Sequence, residues 1–251
     1  MSIAFCLLCR RPSKSWLSFL DNLQSTTQYK VIVICDDNTY DLEEYNTSVR
    51  IIKYETDTVK SAYYTHANFA AMGSFIIAWD KAIYHFCEVE KEYDYVYFVE
   101  DDVFIPSIES IQNIQEKYTD DLLCHCDNGF FEKDKGDINV WHWRHANGAL
   151  NLPWYASMVC AIRVSNALLR SVQRHVQLLR RIPFIEILWN TLAHQNKLSV
   201  RIIPEFEYII YNPSSLDYKN YIEILKKGHW LHPMKEMEEH DEIRKIIVNW
   251  L

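Results

Sequence analysis

The stretch Tyr95-Val-Tyr-Phe-Val-Glu-Asp-Asp-Val-Phe-Ile-Pro106 constrains this chain more than any other part of it. Five apolar or aromatic residues run without alternation into three carboxylates, Glu100, Asp101 and Asp102. A short run of this kind, with no polar face, predicts a strand buried on both sides, as in a parallel sheet covered by helices. The acids then stand where the strand leaves the sheet. In open α/β sheets the crevice outside the carboxyl ends of the strands binds ligands. Adjacent carboxylates raise each other's pKa unless they share a cation. Hard divalent ions such as Mg²⁺ and Mn²⁺ take oxygen donors of this sort, often together with substrate phosphates. The plainer alternative is an acidic strand-end turn that caps the next helix.

The flanking sequence continues the α/β pattern. Residues 3–8, 29–35 and 49–54 read as strands, with a helix between the first two marked by Trp16, Leu17, Leu20 and Leu23. Strand, helix, strand with short links predicts a Rossmann-like, mixed and mostly parallel sheet flanked by helices. Phe69, Met72, Ile76, Trp79 and Ile83 recur at steps of three and four and predict a long helix over 68–90. Residues 108–118 predict a helix, 122–126 a strand, 127–154 an irregular aromatic segment and 158–162 a strand. Ser165 is placed to cap a helix reaching 181, and another helix covers 184–194. Short strands at 200–203 and 208–211 precede helices at 216–226 and 241–250.

Composition removes several function classes. Only 5 glycines occur, and neither a dinucleotide fingerprint nor a Walker loop is present, so phosphate must be held by metal, side chains or helix ends. A formal net charge of -8 argues against nucleic acid as a partner. No run approaches the length of a membrane span, and the first twelve residues lack a basic region and a cleavage site, which leads to an expectation of a cytoplasmic protein. The 7 cysteines, several in expected strands (Cys6, Cys35, Cys160), read as buried free thiols. Cys124 and Cys126 with His142 and His145, or Cys6 with Cys9, offer soft ligands but lack the paired spacing of a structural zinc module. Arg170, Arg174, Arg180 and Arg181 form a basic patch on one helix, either a solvated face or a site for an anionic partner.

The order of these motifs resembles the metal-dependent glycosyltransferases of the GT-A fold. Five features carry the resemblance: the first strand, the Asp36-Asp37 pair after the second, the triplet Glu100-Asp101-Asp102, and two later segments, 184–193 and 228–235. The triplet departs from a strict D-x-D motif by its leading Glu. The resemblance implies one domain over 1–251. A nucleotide-sugar and metal-binding half covers 1–126, an acceptor-binding and catalytic half 127–235, and a C-terminal helix 236–251. It further implies a nucleotide-sugar donor, with UDP favoured, a glycan or glycoprotein acceptor, and Mn²⁺ or Mg²⁺ as cofactor.

Residue roles follow from that resemblance. Asp102 and His232 are the expected metal ligands, with His229 the weaker match for the histidine. Glu100 and Asp101 are expected at the donor ribose or a metal-bound water. Glu186, set among Phe184, Ile185, Ile187 and Leu188, is the expected general base, since partial burial raises a carboxyl pKa toward the working range. A single base implies displacement with inversion, and Asp127 is the second choice. The alternative for Glu186 is a helix-start acid stabilised by the dipole. Arg10, Asp36, Asp37, Lys60, Asp80 and Lys235 are expected around the donor, with Tyr63 and Asn68 weaker additions. Asp36 and Asp37 could equally form an Asp-Asp-Asn turn. Trp141, Trp143 and Trp154 suit an acceptor platform, because sugar C–H faces stack on aromatic rings, or else close a core under a loop. Two rival functions stand beside transfer. One is a sugar-nucleotide nucleotidyltransferase, which lacks its glycine-rich basic loop here. The other is a catalytically silent glycan-binding or scaffold protein on the same fold.

Overall fold

The computed structural model describes residues 1–39, 41, 47–68, 75–125, 127–132, 136–211, 218–235 and 237–248. The chain lays down β1 (Ile3–Cys9), α1 (Lys14–Thr26), β2 (Lys30–Cys35), β3 (Arg50–Lys53), α2 (Thr56–Ser61), α3 (Ala78–Tyr84), β4 (Tyr95–Glu100) and α4 (Ile108–Lys117). It continues with β5 (Leu122–Cys124), β6 (Asp127–Phe131), β7 (Trp154–Ser157), β8 (Ala161–Ser165), α5 (Asn166–Leu179) and α6 (Ile185–Gln195). The last elements are β9 (Val200–Ile202), β10 (Tyr208–Ile209), α7 (Tyr218–Lys226), β11 (Leu231–His232) and α8 (Met237–Val248). Among the described residues seven strands form one sheet in the order β3-β2-β1-β4-β8-β5-β9. β8 runs antiparallel to both β4 and β5, and the other pairs are parallel. This is the mixed, mostly parallel, helix-flanked sheet expected.

The apolar runs are explained by burial on two faces. Successive strand residues point to opposite sides. Ala4, Cys6 and Leu8 of β1 and Val96 and Phe98 of β4 enter one core, with Trp79, Phe86, Leu188 and Trp189. Phe5, Leu7 and Cys9 of β1 and Tyr97 and Val99 of β4 enter the other, with Trp16, Leu20, Ile111 and Ile114. Each such side chain contributes about 1.5–3 kcal/mol by leaving water, so neither face tolerates a polar residue cheaply. Cys6 and Cys9 therefore sit on opposite faces and cannot share an ion.

Three local expectations are corrected. Residues 68–90 are not one helix: α3 begins at Ala78 and passes into a π-helical turn over His85–Val89, while Phe69 and Met72 lie outside the described residues. The Asp80 carboxylate accepts from the N–H of Ala67 (2.9 Å) and of Ile77 (3.0 Å). A continuous helix, rising 1.5 Å per residue, would hold those two amides about 15 Å apart. The segment 127–154 contains β6, which pairs antiparallel with β7. The strand expected at 158–162 starts only at Ala161, as β8, and residues 158–160 link it to β7. Ser165 does cap α5, its Oγ accepting from Leu168 N–H at 3.2 Å, but the helix stops at Leu179 because Arg180 turns left-handed (φ 56°).

Candidate active site

The site assembles at the carboxyl end of β4. Glu100 ends that strand, and its N–H donates to Cys160 C=O (2.8 Å), one step past the Val99–Ala161 pair of the β4–β8 ladder. Asp101 N–H donates to Leu8 C=O (3.0 Å), so the triplet turns directly over β1. Two indoles hold it, one from each face of the sheet. Trp79 Nε1–H donates to Glu100 Oε1 (2.6 Å), and Trp16 Nε1–H donates to Asp101 C=O (2.7 Å). A charge-assisted bond of the first kind fixes a carboxylate's direction as well as its energy.

The C-terminal segment is strapped across the triplet. Phe104 and Leu231 exchange backbone hydrogen bonds (2.8 and 3.1 Å), and Met234 N–H donates to Asp102 C=O (2.7 Å). Trp230, fully buried, and the cis His232–Pro233 bond lie within this strap. His232 is thereby delivered to Asp102, Nε2 to Oδ1 at 3.3 Å. Its Nδ1 lies 2.8 Å from Ile210 C=O. A carbonyl only accepts, so Nδ1 carries the proton and Nε2 of the neutral ring presents a lone pair. Asp102 Oδ1 is itself buried with no hydrogen bond. Two electron-rich atoms turned on one another fit a shared proton or a cation. Against the opposing effect of burial, Asp102 moves the His232 pKa upward. Ligand atoms of Glu100, Cys160 and His232 all lie within 4.8 Å of one another, an O, S, N donor set able to hold a divalent ion.

Glu186 reaches the same cleft from α6. It occupies the first helical turn behind Phe184, and the helix start is pinned by Ile185 N–H donating to Ala67 C=O (3.0 Å). Ala67 is the residue whose N–H Asp80 holds, so one carboxylate on α3 sets where α6 begins. Burial, then the charge of Glu100, pushes the Glu186 pKa up to about 7. Burial outweighs the pull of the helix N-terminus, which favours the charged form. Burial, then Asp102 and Glu100, takes Asp101 to about 6, and burial raises Glu100 despite its indole bond.

The remaining expected residues divide. Asp36, at the end of β2, is partly buried and ion-paired to Lys81 Nζ at 3.5 Å, with Arg10 near enough to lower its pKa against the desolvation that raises it. Asp37 is taken up by the turn: it accepts from Thr39 N–H (2.8 Å) and Thr39 Oγ1 (2.6 Å) and pairs with Arg11 Nε (2.6 Å), which together hold its carboxyl well below the usual range. Asp80 is buried with both oxygens on backbone amides, and burial first raises its pKa to about 7. Lys60 sits in the last turn of α2, Lys235 is exposed beyond the strap, and His229 Nδ1–H bonds Pro204 C=O at 2.7 Å on the outside. Trp143 and Trp154 are buried, Trp154 stacked on Phe131 at 5.1 Å and donating to Leu150 C=O at 3.0 Å. Trp141 alone of the three is half-buried, 6.1 Å from the Phe184 ring. The Asp127 side chain and Cys126 lie outside the described residues.

Three residues of the site were not singled out in the sequence. Lys81 is buried in α3, its Nζ donating to Asp36 C=O (2.8 Å) and Asn38 Oδ1 (2.9 Å) and so organising the loop after β2. Trp79 reads as core by its helical spacing, yet its indole N–H faces Glu100. Cys160 reads as a strand thiol, and only the antiparallel ladder places it beside Glu100.

The sequence matches no protein-family model and no curated protein. Solved structures do share its architecture. The WbbM bifunctional glycosyltransferase superimposes over 99% of this chain with a TM-score of 0.53 at 11% identity, and the chain spans about half (51%) of WbbM. The galactosyltransferase LgtC, solved with donor and acceptor sugar analogues, superimposes over 98% of this chain and 96% of its own, with a TM-score of 0.51 at 10% identity. The fold is that of GT-A-type glycosyltransferases. At such identities the likeness is one of fold, and function has to be argued from the site. Among the described residues no helix is long and apolar enough to cross a membrane.

Proposed function

We propose that this protein is a glycosyltransferase that moves a sugar from a nucleotide-sugar donor, UDP-linked by the family resemblance, to a hydroxyl of a glycan or glycoprotein, with inversion and with a divalent cation, Mn²⁺ or Mg²⁺. One observation carries the reading: the strand-end triplet, His232 and the half-buried Glu186 converge on one cleft of a GT-A-type fold. The unbonded Asp102 Oδ1 and the lone pair of His232 Nε2 suit the ion, with Glu100 beside them. When bound, such an ion stabilises negative charge on the leaving diphosphate as a Lewis acid.

The chain's own residues do the rest. Asp36 offers a carboxylate to a ribose or base edge at the end of β2, and Lys81 holds that loop in place. Glu100 and Asp101, held by Trp79 and Trp16, orient the donor. Trp141 gives the acceptor sugar a ring to stack on. As the acceptor oxygen bonds to the anomeric carbon, its proton passes to a Glu186 carboxylate oxygen. The bond from that carbon to the diphosphate oxygen breaks with its electron pair left on the diphosphate. General-base help of this type contributes about 10²–10⁴-fold in rate.

A thermal-shift panel of nucleoside diphosphates and nucleotide sugars, with Mn²⁺, Mg²⁺ or EDTA, tests the donor site. A ligand at ~100 times its Kd adds about 2.7 kcal/mol to stability. The expected result is a metal-dependent shift with one nucleotide class that Asp102→Ala abolishes. Release of pyrophosphate in place of nucleoside diphosphate would turn the reading toward nucleotidyl transfer. The absence of any nucleotide shift would overturn it in favour of a silent glycan-binding protein.

A further inference from the structure

Cys160 has no part in the transfer chemistry, yet it stands at the centre of the site. Its carbonyl accepts the Glu100 N–H at 2.8 Å, and its Sγ lies within 4.8 Å of ligand atoms of both Glu100 and His232. It is one of six described cysteines, all buried and none in a disulfide, and among the described residues the one in a cluster of this kind. His232 is buried, and its Nδ1–H bond to Ile210 aims the Nε2 lone pair inward.

We propose that Cys160 is a thiolate ligand of the cation site, so that Glu100, Cys160 and His232 together take a thiophilic divalent ion such as Zn²⁺, Co²⁺ or Cd²⁺. The proposal rests on the reading that this cleft binds a divalent cation and adds which cations it prefers. Three protein ligands with one position left open is the pattern of an accessible zinc centre. Metal–ligand bonds of about 2.0–2.3 Å at tetrahedral angles put donor atoms roughly 3.3–3.8 Å apart, so side chains already within 4.8 Å need draw in by about 1.5 Å at most. Binding replaces the Sγ–H bond with an Sγ–metal bond and releases one proton to solvent. Oxygen donors suit Mg²⁺ and Mn²⁺, whereas thiolate and imidazole favour softer ions. The same cleft thus offers hard ions the carboxylates of Asp102 and Glu100, and soft ions the sulfur of Cys160. Zinc displaces the ion used in transfer and acts as an inhibitor competitive with it.

Titration of the full chain with Co²⁺, followed by absorption, tests this directly. The expected result is a thiolate-to-cobalt charge-transfer band that saturates at one equivalent. Cys160→Ser loses the band while calorimetry still records Co²⁺ binding, and its preference for Cd²⁺ over Mn²⁺ falls by about tenfold or more. Should Cys160→Ser fail to fold by circular dichroism, His232→Ala supplies the second variant, and the band again disappears. Co²⁺ binding without the band, or a band retained in Cys160→Ser, overturns the role of Cys160 and leaves an oxygen and nitrogen site for the transferase intact. Calorimetry with Mn²⁺ separates that outcome from failure of the metal site itself, in which no divalent ion binds at all.

Discussion

Replacing Glu186 with Gln gives two readouts that move in opposite directions. The carboxyl titrates near 7 in the fold against an ordinary value of 4.5, first because it is buried and then because Glu100 lies close. As a base it works only when deprotonated. With a pKa of about 7, roughly 9% is active at pH 6 and about 91% at pH 8, so kcat/KM rises about tenfold across that interval. An unshifted carboxyl would be fully ionised by pH 6 and give a flat profile. Glu186→Gln removes both the step and about 10²–10⁴-fold of rate, equivalent to roughly 3–5 kcal/mol of barrier. Stability changes the other way. The unfolded chain loses this proton near 4.5 and the folded chain near 7, so folding weakens as pH rises through that window, by at most about 3 kcal/mol. Glutamine escapes the penalty, and its Tm exceeds that of the parent at pH 8 but not at pH 4. Nucleoside diphosphate release across pH 5.5–8.5, with differential scanning calorimetry at both ends, measures the pair. Full turnover by Glu186→Gln, or a parent profile that is flat from about pH 6 to 8, would refute the assignment of the base.

Other substitutions test the scaffold around that base. Lys81→Met leaves the partly buried Asp36 without its cation and Asn38 without a donor, and should cost about 3–5 kcal/mol in urea unfolding; a loss below about 1 kcal/mol would show that water serves Asp36 well enough. Trp79→Phe keeps the ring in the core but removes the N–H on Glu100, a bond to a charged group worth about 1.5–3 kcal/mol, so Tm should fall by several degrees and nucleotide affinity with it. Trp143→Ala and Trp154→Ala should each destabilise by about 3–5 kcal/mol, whereas the half-buried Trp141, truncated to Ala, should cost clearly less and raise the acceptor KM; the reverse ranking would place the acceptor on the buried pair.

Much of the strand-end acid cluster was legible because its cause is local. The runs at 3–8 and 95–99, and that at 29–35 apart from Lys30, are apolar, since both faces of β1, β2 and β4 are covered, and a triplet of acids directly after such a run can only emerge at the strand's end. What was hidden depended on distant partners. Periodicity carries no strand direction, so nothing in 158–165 announced that β8 runs against β4 and brings Cys160 to Glu100. The apolar spacing from 69 to 83 suited a helix, but Asp80 binds the amides of residues 67 and 77 together, a contact that hydrophobicity does not record. Trp79 looked like the ordinary occupant of a packed helix face, and Lys81 beside it carried no signal of its own. Their polar atoms turn out to serve the strand ends. The aromatic segment was ambiguous for a different reason. Stacking on a sugar and stacking in a core draw on the same residues, and only the exposure of Trp141 beside the buried Trp143 and Trp154 separates them.

The β6–β7 ladder has a consequence for how specificity could diversify on this scaffold. It is a two-stranded ribbon of its own, while the strands that enter and leave it, β5 and β8, are hydrogen-bonded to each other within the main sheet. Its neck is therefore closed whether or not the ribbon itself is altered. A two-way bond between Thr191 Oγ1 and the Tyr155 backbone (2.9 and 3.0 Å) docks the ribbon on α6, the helix that carries Glu186. Residues 127–157 thus form a unit hinged beside the reacting centre and tied to the rest of the fold through Phe131, Trp143 and Trp154, which pack into the core that β4 shares. On the proposed function, exchanging the exposed positions of that unit while those core residues are kept would re-address the acceptor and leave the strand-end acids as they stand.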